Sequence, residues 1–230
     1  MSYSGTTTFM PSLGELVLYA FNNIGVRPTS LAQEHFQSAR MAANMMLSRW
    51  ANQGVNLWRV ELVTVPLVQG QVQYAVDPSV IMVLDAYVTT ANGGASTNRI
   101  ILPVSRTEYA SYPNPAQQGF TTVFWFDRLI SPVLNLWPVP DGTSAQTLSY
   151  YAVQQIQDAN YTSAQNVDIP YRWFEAFADG LTYRLARIWA PPLATAYKAV
   201  ADESYQIASL QDVENANTYI SPQISSYFRN

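Results

Sequence analysis

Cysteine is absent from the chain, histidine occurs once, and lysine supplies only one of its twelve basic residues. The first absence excludes a disulfide frame, thiolate metal ligands and a thiol nucleophile. The second leaves His35 without the partners that a serine triad or a typical zinc site needs; it is expected on the exposed side of a helix, near its start. Charged side chains make up only 12% of the 230 residues, about half the usual share, so Gln, Asn, Ser, Thr and Tyr must cover the surface. Such a surface suits contact with other protein. No Lys/Arg run occurs and the formal net charge is −4, so the cationic footprint that dominates affinity for nucleic acid is missing. An acidic wall past which DNA slides fits the same numbers. The arginine bias suits planar, two-pronged pairing with carboxylates at interfaces. No run approaches the ~20 apolar residues of a membrane-spanning helix, and no charged-then-apolar leader opens the chain. A soluble protein without a membrane partner is therefore expected.

Apolar residues at 48% and aromatics at 13% can furnish a substantial core. Residues 1–10 are small and polar, and "PSLGELVLYAFNNIG" then reads as a helix. Ser12 and Glu15 have capping-box spacing, Leu13, Leu16, Val17, Ala20, Phe21 and Ile24 form one stripe, and Gly25 stops it. A longer helix is expected from about Leu31 to Gln53, capped by Thr29 or Ser30, with Phe36, Ala39, Ala43, Met46, Leu47 and Trp50 on one face. Gly54 ends it and Trp58 opens a strand. From residue 57 the period changes to two. Seven segments rich in β-branched and aromatic residues follow, from "LWRVELVTV" to "TLSYYAVQQI", separated by turn signals such as Asp77-Pro78, Asn92-Gly93-Gly94 and Asp141-Gly142. Ser105 and Glu108 predict a short helix among them. Helices return after "NVDIP", where Asp168 and Pro170 suit a start. Phe174, Phe177, Leu181, Leu185 and Ile188 line the first, and Leu193, Ala196, Val200, Ile207 and Leu210 the second.

This order predicts an α+β protein. Helices 11–56 and 168–212 form an antiparallel bundle, residues 57–157 an inserted β-sandwich or barrel-like domain, and residues 213–230 an extended C-terminal tail behind a flexible 1–10 start. Trp50, Gly54 and Trp58 then mark the junction between bundle and β-domain, where large aromatics cement the joint.

Reactive constellations are scarce. Asp202 and Glu203 are adjacent on a helix and do not face one another, and Asp212 and Glu214 form the other acidic pair. Glu175 and Asp179 share a helical face within reach of Arg172; this is either a surface network or a subunit contact or acidic channel lining. "ANGGAS" lacks the lysine and following helix of a phosphate cradle. No enzyme activity and no cofactor are expected.

The helix ending "NIG", the "RPTS" link and the long helix closing "MLSRWANQGVNLW" resemble the head-to-tail adaptors of short-tailed bacteriophages, also called tail tubular protein A or packaged-DNA stabilisation protein. "LNLWPVPDG", "TLSYYAV" and "IPYRWFEAFADGLTYRLA" are similar to that family too, and the likeness covers about 12–211. The resemblance implies a virion protein assembled in the host cytoplasm: a ring, typically of twelve copies, under the portal protein. It also implies a DNA ejection channel without specific DNA binding, and a β-domain facing the tail nozzle or fibre protein. By position it implies portal anchors at Tyr219, Ile220, Ile224, Tyr227, Phe228 and Arg229. Two rival readings are a fibre or receptor module binding glycans through β-domain aromatics, and a cell-wall hydrolase using Glu175.

Overall fold

The computed structural model describes residues 5–54, 57–92, 95–160 and 165–212. Helix α1 spans Leu13–Asn23 and α2 spans Gln33–Asn52. The strands are β1 (Val60–Pro66), β2 (Gln73–Ala75), β3 (Val80–Asn92), β4 (Ala95–Pro103), β5 (Val123–Asp127), β6 (Val133–Trp137) and β7 (Ala145–Gln154). A short helix, α3 (Arg106–Ala110), lies between β4 and β5, and α4 (Phe174–Trp189) and α5 (Ala194–Ser209) follow the sheet. Over the described residues the chain is thus a mixed α+β protein of five helices and one curled seven-stranded sheet, and all seven expected strands form.

Local chemistry sets the helix ends. The Ser12 backbone N–H donates to Glu15 Oε2 at 2.8 Å, and the Glu15 N–H donates back to Ser12 Oγ at 3.3 Å. At the other end Gly25 takes φ +84°, so Val26 N–H reaches the Phe21 carbonyl and Gly25 N–H reaches Asn22. That pattern closes the helix as a Schellman motif. Gly54 reverses the chain after α2 in the same left-handed conformation, φ +81°.

Helices α1, α2, α4 and α5 share one core. Leu16, Val17 and Phe21 of α1, Ala43, Met46 and Trp50 of α2, and Phe177, Leu181 and Leu185 of α4 are buried together in it, with Ala208 of α5. Close approach of α4 to α2 depends on Gly180, where a Cβ would stand 2.5 Å from Met46 Sδ. The leading and trailing helices therefore pack directly on one another.

Two expectations about helix faces are corrected. On α5 the buried residues are Ala201, Ser204 and Ala208, while Leu193, Val200, Ile207 and Leu210 are exposed. Small residues let α5 lie close against α4, and the larger aliphatics turn outward. On α4 Ile188 is exposed too, whereas Phe174 to Leu185 follow the expected stripe.

The sheet order is β1-β7-β3-β4-β5-β6-β2, antiparallel except for β4 with β5. The edge strands β1 and β2 are consecutive in the chain, joined only by residues 67–72. Six residues span at most roughly 20 Å, so the sheet must curl to bring its edges near each other. The link is bonded along both sides: Leu67 N–H donates to Gln146 O at 2.9 Å, and Leu136 N–H donates to Val72 O at 3.0 Å. Inside the curl Val88, Ile101, Leu134, Leu136, Leu148 and Tyr150 form a second core. Parallel pairing of β4 with β5 needs a crossover, and residues 104–122 with α3 supply it. The Ser105 hydroxyl caps α3 by accepting from Glu108 N–H at 3.1 Å. Gly93 and Gly94 of the β3–β4 turn lie outside the described residues.

Candidate functional site

Where helices meet sheet, the chain crosses twice, at 53–60 and 154–173. Trp50 is buried in the last turns of α2, and Trp58 lies in the single turn that opens β1. The centre of the joint is a third indole. Trp173, wholly buried, has ring centroids 4.9 Å from Trp50 and 5.7 Å from Trp58. Tyr205 of α5 closes the cluster at 5.7 Å from Trp173. A polar clasp surrounds these rings. Trp58 Nε1–H donates to the Asp168 carbonyl at 3.0 Å, and the Asp168 carboxylate pairs with Arg59 at 3.3 Å while accepting from Gln157 N–H. Arg59 also donates to Gln154 Oε1 at 2.7 Å and to the Gln155 carbonyl. Asp168 therefore braces the crossing rather than starting a helix, since α4 begins only at Phe174, after a turn at Tyr171–Trp173. Farther along the linker, Asn44 of α2 exchanges two hydrogen bonds with the backbone of Ala159.

The expected Arg172–Glu175–Asp179 network is rearranged. Arg172 Nη2 binds Asp212 Oδ1 at 2.7 Å, tying the end of the last helical segment back to the turn before α4. Glu175 and Asp179 instead face a groove of about 760 Å³ between α1, the start of α4 and an extended strap at 8–11. Burial raises the Asp179 carboxyl above the ordinary carboxylate range; a hydrogen bond from Ser204 opposes this and the Glu175 charge adds to it. Four aromatic side chains share the groove with them. Phe9, Tyr171 and Phe174 meet edge to face at 6.1–6.4 Å, and Tyr19 also lines it. Asn166 Nδ2 reaching Met10 Sδ, and Leu13 N–H donating to Gln165 O, fix the strap.

His35 is not a free surface residue. Its Nδ1 accepts from Ala32 N–H at 3.1 Å, and its ring stacks on Trp189 at 4.1 Å with Phe21 at its edge. Helix α2 starts two residues later than expected, at Gln33, which makes His35 the third helical residue and turns it onto the C-terminal end of α4. Among the described residues no three His, Asp or Glu side chains gather as metal ligands, and no helix is long and apolar enough to cross a membrane. Tyr219, Ile220, Ile224, Tyr227, Phe228 and Arg229 lie outside the described residues.

This layout is one of clasps and exposed apolar surface. A family model described as SU10 adaptor protein matches residues 19–224, from within α1, through every strand, to beyond α5. The chain belongs to that family. It is a phage head–tail adaptor family, which makes the chain a structural adaptor component of a phage. No curated protein matches it. Trp50, Gly54 and Trp58 stand out in the sequence, but Trp173, which packs on both indoles, and the Arg59–Asp168 pair do not. The signal that carries Asp168 and Trp173 is the run "DIPYRW", in which a proline holds Trp173 just ahead of α4.

Proposed function

We propose that the protein forms a ring, of twelve copies, that joins the portal protein of a short-tailed phage to the tail nozzle and fibre proteins, at the head–tail interface of the virion. The helices act as an antiparallel bundle (11–56 with 168–212) that meets the portal and neighbouring copies and lines part of the DNA channel. Residues 57–157 act as a separate sandwich- or barrel-like lobe toward the tail. The segment 213–230 reaches the portal through Tyr219, Ile220, Ile224, Tyr227, Phe228 and Arg229. Trp50, Gly54 and Trp58 keep the two lobes in fixed relation, and Glu175 and Asp179 form part of a subunit contact.

The observation that carries this reading is the family match over residues 19–224. Two separate cores support the division into lobes. The low share of charge and the net −4 suit a conduit that lets DNA pass without gripping it. Electron microscopy of the protein mixed with its portal tests the proposal: rings seated on the portal are expected from the full chain, and none from a chain lacking 215–230. Rings of normal occupancy from the shortened chain would remove the tail from the portal contact. Failure of the full chain to join any portal would remove the ring.

A further inference from the structure

We propose that the groove between the 8–11 strap and the start of α4 is the docking site for the chain's own C-terminal segment, residues 213–230, before any partner is met. The proposal goes beyond the portal reading and does not depend on it.

The first argument is position. Asp212, the last described residue, is held at 2.7 Å by Arg172, and Arg172 lines the groove. The segment therefore begins at the groove's mouth. Eighteen residues extend at most roughly 60 Å, and a tether of that length holds its residues near the groove at effective concentrations in the millimolar range.

The second argument is surface. Phe9, Tyr19 and Tyr171 are 68%, 54% and 70% exposed, although each sits beside a well-packed helix pair. Aromatic side chains so exposed around one concavity mark a contact face. The segment carries matching side chains, with Tyr219, Ile220, Ile224, Tyr227 and Phe228 spaced along it.

The third argument is charge. Glu175 and Asp179 face the groove, and Arg172, the one cation among its described lining residues, is engaged by Asp212. Glu15 is already committed to the Ser12 cap. The wall thus carries negative charge without a free cation among its described residues. Residues 213–230 contain one cation, Arg229, next to the two aromatics at their end. Docking Tyr227, Phe228 and Arg229 against Tyr171 and Glu175 covers the exposed rings and answers the charge together.

The absence of native cysteine makes the test direct. Thr8→Cys, on the groove wall, is combined in turn with Ile220→Cys, Ile224→Cys and Phe228→Cys. Ile100→Cys, on the outer face of the sheet, with the same three serves as control. The isolated chain is oxidised at micromolar concentration, and monomeric cross-linked species are resolved on non-reducing gels. At least one Thr8 pair is expected to close about tenfold faster than every Ile100 pair, consistent with local concentration. Equal rates for the two sets overturn the proposal. Cross-linked dimers in place of closed monomers overturn it too, since the segment then sits on a neighbour. Hydrogen exchange on unmodified protein gives a second readout. A chain ending at Asp212 is expected to exchange several-fold faster over 15–19 and 174–179 with the sheet unchanged; unchanged exchange there overturns the proposal. Neither assay contains the portal, so its outcome is independent of portal docking.

Discussion

Trp173, Phe177 and Phe21 are sealed among four helices, whereas Leu62, Tyr151, Ile100 and Leu102 stand exposed on the outer face of the sheet. Strand register explains the sheet. Ala86 pairs with both Ile101 and Tyr150, which point inward, so the neighbouring residues of each strand must point out. A bulge in β3 sets Leu84 and Asp85 opposite the single residue Tyr151 and adds Leu84 to that outer face. The helical region closes Phe21, Trp173 and Phe177 inside itself while Tyr19, Ile188, Val200 and Ile207 stay outside, and the sheet fills only the inside of its curl. An isolated adaptor thus keeps its stability chiefly in the two cores, and the outer sheet and the outer side of α5 stay exposed.

The strongest way to break this contrast is Trp173→Ala. It removes a fully buried indole that touches Trp50, Trp58 and Tyr205, and a loss of about 3–5 kcal/mol is expected in denaturant titrations. Leu136→Ala, at the centre of the curl, is expected to cost about 2–4 kcal/mol by the same measurement. A loss for Leu136→Ala larger than for Trp173→Ala would reverse the ranking of the two cores. Arg59→Ala removes one partly exposed ion pair and two hydrogen bonds, for about 1–3 kcal/mol. In a double-mutant cycle with Asp168→Ala, the double variant should lose less than the two single losses combined; strict additivity would mean that the clasp is not a unit.

Asp179→Asn addresses charge. The folded chain binds the Asp179 proton more tightly than the unfolded chain, because burial holds that carboxyl up. Its stabilising share is present below the unfolded value of ~3.9 and is lost as pH rises through the higher folded value. The variant is therefore expected to be slightly more stable than the parent at neutral pH and equal to it in acid, as read from melting curves across pH. Glu15, Asp77 and Asp141 act in the opposite sense, each held low by hydrogen bonds from Ser12, Ser79 and Thr143, so they lose stability as pH falls. The smallest effect belongs to Ile100→Ser, within about 0.5 kcal/mol for the isolated chain. A larger loss would show that Ile100 is covered within the isolated chain.

Much of this is readable from residue order. Period-two runs give all seven strands, and Ser12 with Glu15 and the glycines at 25 and 54 give the ends of α1 and α2. These signals are local: they depend on neighbours within a turn or a pleat. What escapes depends on distant partners. Nothing near Arg172 distinguishes Asp212 from Glu175 as its mate, because forty residues and a helix reversal separate the pair. His35 looks solvent-facing until Trp189 is known to lie over it. The α5 stripe misleads for another reason: both faces of that helix have apolar character, and closeness to α4 favours alanine and serine over leucine. Strand order, with its parallel β4–β5 step, is not visible in any single run.

The sheet is entered along β1 and left along β7, and those strands pair side by side with Val60 opposite Val153 at the helical end. Tension between the two regions would pull on both strands from that one end. Backbone bonds loaded this way break in succession, as a zip opens, rather than resisting in parallel. The Arg59 contacts to Gln154, Gln155 and Asp168 sit at the first tooth. The Arg59 guanidinium therefore shares the load at that end with Trp58, which is held by the Asp168 carbonyl and packed on Trp173, and a pulling experiment on Arg59→Ala should find the rupture force lowered more than the equilibrium stability.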